Sequence, residues 1–528
     1  MQRIFLITLI KKNLLWVVLF FEIVAFTLIV IGFLPRSIVP YFVAVLALYL
    51  IFTPLEDGVL FFVSSIPLFL AIPITKSFDN FNSWRIFSFI LLFKWGIRYG
   101  ISNIFNNIFS KKIWRSKIII SLLLLLIFAS LSIIVAPDKI VAIKKIIYFI
   151  NLSLIGIIIY DFVKNNNNFA TRLVKAIAIP TIIITAVGFL QLASTYLLDI
   201  FQFIGLWGER IQCNQFGQQW CQIAVNDGNT WFAYYGDQLS LRVFSLFPDS
   251  HSFPVFLLFG LPSIFALSFH KIAKRSSSYR EMIKIRGRLY ILLIPLIFLI
   301  MLLSGTRGIW AASVGVVLFV IFTAIFMWKK SIGMKYRALF NYIASYIVFF
   351  FILLSVAFPI FVSPQFLLSK GDSGLFGNRL RSIIDFGETS NAQRIYIWKS
   401  SLNSIKKHPI LGVGIGNFPV VLSQDIQLAK AGSSAHNIYL HIASEMGVFA
   451  LVISLWLLFI LIKKIYLNYI HAKDSLLLVY FSSLLLFIPW VFLYLLTDVV
   501  LFDERAFLIF VVMGTLVFGV SAKSINKV

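Results

Sequence analysis

The stretch SLLLVYFSSLLLFIPWVFLYLL, residues 475–496, runs for 22 residues without a charged side chain. The hydrocarbon core of a bilayer needs about 20 predominantly apolar residues to be crossed by a helix. The stretch is therefore long enough to span a membrane once. Apolar runs of 18 or more residues recur along the whole chain, so the pattern of this stretch decides the fold class.

The overall composition agrees with a membrane protein. The chain has 528 residues, of which 60% are hydrophobic and 13% charged, whereas soluble domains average about 25% charged residues. The first apolar run, 13–34, is too long for a signal peptide and lacks a small-residue cleavage site. The sequence predicts an all-α polytopic membrane protein without a cleavable signal.

We predict about fourteen transmembrane helices. The fourth contains Lys94 and Arg98, so we expect it to be tilted, partly interfacial, or lining a polar cavity. The predicted spans are 13–34, 38–54, 58–75, 83–101, 116–136, 140–162, 171–196, 252–269, 289–304, 308–328, 339–362, 447–462, 475–496 and 505–521.

The basic residues predict the orientation of these spans. With the N-terminus in the cytoplasm, the most basic short loops fall on the cytoplasmic side, where Lys and Arg collect in membrane proteins. These loops are 110–117, 164–175, 270–288, 328–337 and 463–473, and the C-terminal tail joins them. The basic cytoplasmic loops are the first explanation of the net charge of +25. We therefore predict no nucleic-acid partner.

This topology divides the chain into five regions. They are an N-terminal membrane bundle (1–196), a first outer loop (197–251), membrane helices (252–362), a large outer loop (363–446) and C-terminal membrane helices (447–528). Outer loops of this length are unusual without structure of their own. We therefore expect both to fold against the membrane surface and to carry functional residues.

Both cysteines, Cys213 and Cys221, lie in the first outer loop. On an oxidising side of the membrane a local disulfide is the first expectation, and two free thiols are the alternative. A zinc site would need more ligands, and only His251 is near in sequence.

The second outer loop is rich in Lys and Arg although it is predicted to be extracytoplasmic. The enrichment of basic residues in cytoplasmic loops does not explain its charge. Its cations either form a solvated surface or bind an anion such as a lipid headgroup or a phosphorylated ligand. Within it, residues 390–409 predict a helix with a Ser390/Gln393 capping box and Arg394 in its first turn. Its predicted apolar stripe is Ile395, Trp398, Leu402 and Ile405. The following GVGIGNF, 412–418, predicts a tight turn whose amides could also face an anion.

The stretch SAHNIYLH, 434–441, carries the candidate base. Ser434 is a predicted N-cap, with His436 in the first helical turn and the helix continuing to Gly447. A helix N-terminus favours a neutral imidazole, which can act as a general base near neutral pH. The alternatives are a structural loop histidine, and an Asn437 that either holds the loop or hydrogen-bonds a sugar hydroxyl.

Further charged residues share the predicted outer face. Arg307 lies in the short turn LSGTRGIWAA, 303–312, at membrane level, where a charged side chain needs a partner. Arg242, Asp249 and His251 lie at the outer end of the eighth span, where any of them could be structural. Arginine binds phosphate through two parallel hydrogen bonds and stays charged when partly desolvated.

Together these motifs resemble the O-antigen ligase superfamily over roughly residues 240–450. The motifs are Arg-x-Phe-x-x-Phe-Pro-Asp at 242–249, Ser-Gly-Thr-Arg-Gly at 304–308, Arg-x-x-x-Trp at 394–398, Pro-x-x-Gly-Val-Gly-x-Gly-Asn-Phe at 409–418, and His-Asn-x-Tyr-Leu at 436–440 followed by Glu445-x-Gly447. The superfamily also includes polysaccharide polymerases, teichuronic acid polymerases and pilin oligosaccharyltransferases. Its ligases often have about twelve spans, two fewer than predicted here.

The resemblance implies a GT-C-like glycosyltransferase of the bacterial cytoplasmic (inner) membrane, with an extracytoplasmic site and neither metal nor cofactor. The donor would be a glycan on a polyprenyl diphosphate, typically undecaprenyl diphosphate. By resemblance, Arg307 and Arg394 would bind the diphosphate, and His436 would take the proton of the acceptor hydroxyl, with inversion. Arg242, Asp249, Asn437 and Tyr439 are possible supporting residues. The acceptor could be lipid A core, a growing polysaccharide, a wall polymer or a protein.

A transporter is the competing interpretation. A lipid-linked glycan flippase would also have many spans and basic intramembrane residues such as Lys94 and Arg98. Flippases usually lack a long ordered outer loop, and internal repeats would be expected of a transporter. The gathering of reactive groups at one face favours the enzyme.

Overall fold

The computed structural model describes residues 2–75, 78–100, 116–227, 231–235, 238–274, 285–329, 348–357, 359–360, 389–424 and 433–520. Within these ranges the chain is mostly helical. The helices are α1 (Gln2–Val30), α2 (Val39–Phe52), α3 (Leu55–Ser64), α4 (Trp84–Tyr99), α5 (Lys117–Ser132), α6 (Lys139–Asn165), α7 (Asn167–Ser194), α8 (Ile200–Phe203), α9 (Cys213–Phe216), α10 (Gln218–Asp227), α11 (Ser252–Lys274), α12 (Ile285–Leu302), α13 (Arg307–Lys329), α14 (Thr389–Lys407), α15 (Ile438–His471), α16 (Ser475–Tyr494) and α17 (Glu504–Gly519).

The remaining regular structure is short. Two antiparallel ribbons pair β1 (Ala71–Ile72) with β2 (Phe81–Asn82) and β3 (Phe232–Tyr235) with β4 (Gln238–Leu241). A π-helix, Ile204–Gln212, joins α8 to α9. The sequence analysis predicted neither the ribbons nor the π-helix.

The apolar helices indicate a multi-pass membrane protein. Five of the described helices are long and apolar enough to cross a bilayer, namely Lys139–Asn165, Asn168–Ser194, Ser252–His270, Ile438–His471 and Ser475–Tyr494. Shorter apolar helices are Leu14–Val30, Arg36–Phe52, Lys117–Ser132, Leu289–Leu302, Arg307–Phe319 and Val348–Ala357. The all-α prediction is confirmed, since the two ribbons are minor.

The centre of the bundle is α11, which packs along α16 and against α12, α7 and α17. The apolar window of α11 is entirely buried, whereas that of α15 is 28% buried. A helix that is apolar on every face is stable only where protein or lipid covers all of it. The apolar stretch 475–496, which contains α16, is the main packing partner of α11.

The predicted third span, 58–75, is not one helix. Helix α3 ends at Ser64, and the chain continues through a 3₁₀ turn at Ile66–Leu68 into β1. Side chains from elsewhere satisfy its backbone: Gln215 donates to the carbonyl of Pro67 (3.0 Å) and Arg505 to that of Phe69 (3.1 Å). Irregular backbone at membrane depth is stable only where protein buries it, and these residues are buried.

The two cations of the fourth span have structural partners. Lys94 Nζ donates to the carbonyl oxygens of Leu50 and Thr53, both at 2.6 Å, and so caps the C-terminal end of α2. The guanidinium of Arg98 lies over the ring of Phe162, 5.8 Å from its centroid. Neither contact gives these cations a role in transport.

Loop contacts join segments that were predicted to share a side of the membrane. On the predicted outer side the contacts include Arg36–Asp79, Trp84–Glu504 and Asp138–Asn417. On the predicted inner side they include Arg172–Glu56, Arg172–Asp57 and Lys464–Val520. The broken crossing after α3 preserves this alternation, because it still carries the chain from Asp57 to Asp79.

The first outer loop is folded against the membrane helices, as expected. The indole of Trp207 donates to the hydroxyl of Ser194 at the end of α7 (2.7 Å), and Asn214 Nδ2 donates to the carbonyl of Val30 at the end of α1 (3.2 Å). The sulfur atoms of Cys213 and Cys221 are joined, with the Cα atoms 5.0 Å apart. The disulfide links α10 to α9, the helix that directly follows the π-helix.

Several sequence predictions lie outside the described residues. They include much of the basic second outer loop, with Lys370, Arg379, Arg381, Asp372, Asp385, Glu388, Asp425 and Lys430, and most of the inner loops 110–117, 270–288 and 328–337. The first half of the eleventh span, 339–362, and the basic tail also fall there.

Candidate functional site

The backbone around His436 differs from the prediction. Helix α15 begins at Ile438, and its N-cap is Asn437, whose side-chain oxygen accepts from the amides of Tyr439 and Leu440, both at 3.0 Å. Ser434 is therefore not the cap, and His436 precedes the helix instead of lying in its first turn. His436 has φ 44°, a left-handed conformation that non-glycine residues seldom adopt. Asn437 is the cap because it stands directly before the first helical residue, where its side-chain oxygen reaches the free amides of the first turn.

His436 is a largely buried imidazole. Its Nδ1 is buried and has no hydrogen-bond partner among the described residues. Burial lowers the pKa of His436, the negative charge of Asp498 opposes that effect, and the positive charge of Arg394 lowers the pKa further. The neutral imidazole predicted from the sequence is supported, but burial is the cause rather than a helix dipole.

Helix α14 carries Arg394 to this loop. The indole of Trp398 donates to the carbonyl of Ala435 at 3.0 Å, so the residue before His436 is tied to α14. Arg394 lies one turn earlier on the same face as Trp398. The helix begins at Thr389, one residue before the predicted cap Ser390. The predicted apolar stripe is only partly correct: Leu402 is 48% exposed, whereas Ser401 and Ser404 are buried.

Arg307 is the first residue of α13 and reaches the same end of the bundle. The hydroxyl of Thr306 donates to the carbonyl of Ser250 at 2.8 Å. A Cβ on Gly308 would overlap Thr497 and Tyr494, so α13 starts in close contact with the outer end of α16. The side chain of Arg307 is partly exposed.

Arg242 is bonded to His251. Its Nη1 lies 2.9 Å from His251 Nε2 and 3.2 Å from the hydroxyl of Ser250. Because a guanidinium can only donate, Nε2 of His251 is the acceptor, and the proton of the neutral ring lies on Nδ1. His251 Nδ1 is 2.9 Å from Asp498 Oδ2. The structure therefore forms a continuous chain from Arg242 through His251 to Asp498.

Asp498 and Tyr494 are functional candidates that the sequence analysis missed. The hydroxyl of Tyr494 donates to Asp498 Oδ2 at 3.0 Å. Burial alone would raise the pKa of Asp498, but the hydrogen bonds from His251 and from the amide of Val499 hold it well below its usual range. An isolated Asp after a long apolar span was the only sequence signal for it.

Three predicted supporting residues make structural contacts. Asp249 caps the start of α11 by accepting from the amides of His251 and Ser252, both at 2.7 Å. The hydroxyl of Tyr439 donates to the carbonyl of Phe492 at 2.8 Å and ties α15 to α16. Asn437 holds the loop as a cap, which was one of its two predicted roles.

The glycine-rich turn 412–418 binds an anion that belongs to the chain itself. The amides of Val413 and Gly414 donate to the carbonyls of Ser444 and Glu445, at 2.8 and 2.9 Å. The amides of Gly416 and Phe418 donate to the side chain of Glu445. The turn is therefore filled by α15, and its amides do not form a site for an external anion.

His441 supports the His436 loop from behind. Its Nδ1 accepts from the amide of Ala435 (3.4 Å), and its Nε2 lies 3.3 Å from Glu445 Oε1. The ring of Phe418 stacks on it with centroids 4.8 Å apart. The histidine, the glycine-rich turn and the first turns of α15 form one packed unit.

The structure thus brings His436, Arg394, His251 and Asp498 within electrostatic reach of one another, with Arg242 bonded to His251. Such a group can bind an anion and accept a proton in the same place. Among the described residues, no three His, Cys, Asp or Glu side chains are arranged to hold a metal ion.

Comparison with known proteins identifies one domain. Residues 291–455 match the family model described as O-antigen ligase. No match was found among curated proteins. The resemblance predicted from the motifs is confirmed for this segment, which contains Arg307, Arg394 and His436. The match implies a membrane enzyme of the glycosyltransferase type, and Arg242 and Asp498 lie outside the matched residues.

Proposed function

We propose that this protein transfers a glycan from a polyprenyl diphosphate, such as undecaprenyl diphosphate, to an acceptor hydroxyl at the outer face of the bacterial cytoplasmic membrane. The transfer is of the O-antigen ligase or polysaccharide polymerase type, inverting and metal-independent. One observation carries the proposal. His436, whose buried Nδ1 has no partner among the described residues, lies within electrostatic reach of the cation Arg394 in a segment that matches O-antigen ligases.

The arginines serve the leaving group. When the bond between the anomeric carbon and the diphosphate breaks, negative charge grows on the diphosphate oxygen. Arg307 and Arg394 bind this diphosphate and offset the growing charge where it develops. Guanidinium groups suit this role because they hold phosphate with two donors and keep their charge when shielded from water.

His436 serves the acceptor. A ring nitrogen of the neutral imidazole takes the proton of the acceptor hydroxyl as its oxygen attacks the anomeric carbon. The new glycosidic bond forms on the face opposite the diphosphate, which leaves as polyprenyl diphosphate with its electron pair. The products are the glycosylated acceptor and an imidazolium that then releases its proton to water.

The arrangement of the membrane helices supports the proposed sidedness. We propose about fourteen spans in a GT-C-like arrangement with cytoplasmic termini and two long outer loops. The basic loops favour this orientation. The loop contacts Arg36–Asp79 and Arg172–Glu56 each join segments assigned to one side.

The test compares wild type with His436→Ala in cells that make the lipid-linked glycan. We expect the variant to lose about 100-fold or more of its transfer rate, because general-base catalysis contributes about that much. Mass spectrometry of the membranes should show accumulated donor and missing product. His408→Ala, an exposed histidine at the end of α14, is the matched control and should behave as wild type.

Two other results would change the proposal. If His436→Ala forms product at the wild-type rate, His436 has a structural role and is not the general base. Donor confined to the cytoplasmic face when the whole protein is deleted would favour the flippase, although Lys94 and Arg98 now have structural partners. Product length distinguishes a polymerase from a ligase, and the glycosylated acceptor identifies lipid A core, polysaccharide, wall polymer or protein.

A further inference from the structure

We propose that Asp498 is a positioning residue of the transfer site, which holds His251 against Arg242 and supplies the counter-charge for His436 when that histidine takes up a proton. The inference rests on the proposed function of His436. Asp498 and His251 lie outside the segment that matches O-antigen ligases, on the loops after α16 and before α11.

The hydrogen bonds of Asp498 fix its charge in place. Its carboxylate accepts from His251 Nδ1 (2.9 Å), from the hydroxyl of Tyr494 (3.0 Å) and from the amide of Val499 (2.7 Å). The residue is 6% exposed. A buried carboxylate with three donors is held in its ionised form.

His251 transmits this constraint to Arg242. With its proton directed at Asp498, the ring presents Nε2 as an acceptor, and Arg242 Nη1 donates to it at 2.9 Å. The guanidinium is therefore oriented by the imidazole rather than only by its own flexible side chain. A carboxylate that orients a histidine, which in turn orients the functional group, is a common supporting arrangement in protein sites.

The second role of Asp498 concerns His436. Within the described part of the chain, the side chains close enough to act electrostatically on His436 are Asp498, Arg394, His251 and His441. Asp498 is the single acid in this set, while Arg394 is a permanent cation. When His436 becomes an imidazolium during the reaction, Asp498 offsets the repulsion from Arg394.

Backbone contacts keep the two residues in register. The amide of Ile438 donates to the carbonyl of Leu495 (2.9 Å), and Tyr439 bonds to Phe492 (2.8 Å). The loop with His436 is therefore fastened to the end of α16, a few residues before Asp498.

The first experiment measures the pH dependence of transfer by Asp498→Asn. The enzyme is reconstituted in proteoliposomes with lipid-linked glycan and an acceptor fraction, both extracted from the host envelope. We expect kcat to fall about tenfold or more. We also expect the acidic limb of kcat/KM to move to lower pH, because losing the negative charge lowers the pKa of His436 further.

Asp503→Asn is the matched control for this experiment. Asp503 lies in the same loop, is buried and caps α17 through the amides of Arg505 and Ala506, a role that Asn can also fill. It does not act on His436 in the way that Asp498 does. Its substitution should leave the acidic limb where wild type has it.

The second experiment tests the link to Arg242 by binding rather than by activity. Undecaprenyl diphosphate is titrated against purified wild type, His251→Ala and His251→Gln. We expect His251→Ala to weaken binding about tenfold, since the lost hydrogen bond orients a charged group. Gln can donate to Asp498 and accept from Arg242, so His251→Gln should recover part of the affinity.

Three outcomes would overturn the inference. They are an Asp498→Asn enzyme with wild-type kcat, one whose kcat falls without movement of the acidic limb, and equal affinities of His251→Ala and wild type for undecaprenyl diphosphate. If Asp498→Asn does not fold, the affinities of His251→Ala and His251→Gln for undecaprenyl diphosphate decide the question. His436→Ala is measured beside them: its full activity would remove the proposed function itself, whereas its inactivity beside a wild-type-like Asp498→Asn removes only this inference.

Discussion

At the scale of single residues, the candidate site is a histidine within electrostatic reach of one permanent cation, Arg394, and one acid, Asp498. The sequence predicted His436, Arg394 and Arg307 from short motifs, and noted Arg242 and His251 as residues at the same level. Its only signal for Asp498 was an isolated acid after a long apolar span, because the contact between Asp498 and His251 depends on how α11 packs along α16. The predicted cap at Ser434 was wrong because Asn437 could serve nearer the helix.

The pH dependence of the reaction should respond to Arg394. Its positive charge is one of the effects that lower the pKa of His436. Arg394→Gln should therefore raise that pKa and move the acidic limb of kcat/KM to higher pH, the reverse of the effect expected for Asp498→Asn. Profiles that span the ordinary histidine pKa of about 6.5 would measure the shift.

Arg394→Lys is the control for this prediction. It keeps the positive charge but loses the paired donors, so KM for the donor should rise while the acidic limb stays close to that of wild type. A limb that moves equally in Arg394→Gln and Arg394→Lys would contradict the electrostatic explanation.

At the scale of elements, the glycine-rich turn and the kink of α15 form one joint. Gly447 has φ 85° and interrupts the helical geometry of α15, and a Cβ at this position would overlap the carbonyl of Ile410. The tight turn at 412–418 was predicted, but its packing against Ser444 and Glu445 of α15 was not. A pattern of glycines indicates close backbone approach without saying which segment approaches.

Gly447→Ala tests this joint. We expect a loss of about 2 kcal/mol or more of stability, because alanine is strained at this φ and its methyl group would overlap the Ile410 carbonyl. Thermal unfolding of the purified protein in detergent, followed by size exclusion, measures the loss. Gly514→Ala in α17, where nothing lies within 4 Å of an added Cβ, should change stability by less than about 1 kcal/mol. Equal melting temperatures for the two variants would contradict this account.

Several of the long apolar helices follow from the apolar pattern alone. The predicted spans 252–269 and 475–496 correspond to α11 and α16 within a few residues at their ends. The broken crossing at 58–75 could not be predicted, because a short apolar run has the same composition in a helix and in buried extended chain. Its non-helical backbone depends on distant donors such as Gln215 and Arg505.

At the scale of the whole molecule, the alternation of sides is the property that connects fold and function. The loops that hold Arg242, Arg307, Arg394 and His436 meet at one end of the bundle. Span count and loop charge predicted that these four residues share one face, and the membrane side to which that face belongs stays a prediction. The detailed geometry was not predicted, since it depends on packing between helices far apart in the chain.

The proposed orientation can be measured with single cysteines in a Cys213→Ser/Cys221→Ser background. Gln424→Cys follows the glycine-rich turn, and Lys164→Cys lies at the end of α6; both positions are exposed. A membrane-impermeant maleimide should label Gln424→Cys in intact spheroplasts and Lys164→Cys only after permeabilisation. The opposite labelling would invert the topology, and labelling of both before permeabilisation would contradict a single orientation.

The broken crossing after α3 has a consequence for how the protein is made. The carbonyl of Phe69 receives its hydrogen bond from Arg505, which the ribosome adds 436 residues later. Until then this carbonyl has no protein donor from that helix, and lipid offers none. Residues 66–72 therefore have to wait beside the translocation machinery or in a water-filled space. We expect nascent chains that stop before α17 to be substrates for membrane quality-control proteases, even though every earlier helix has already been synthesised.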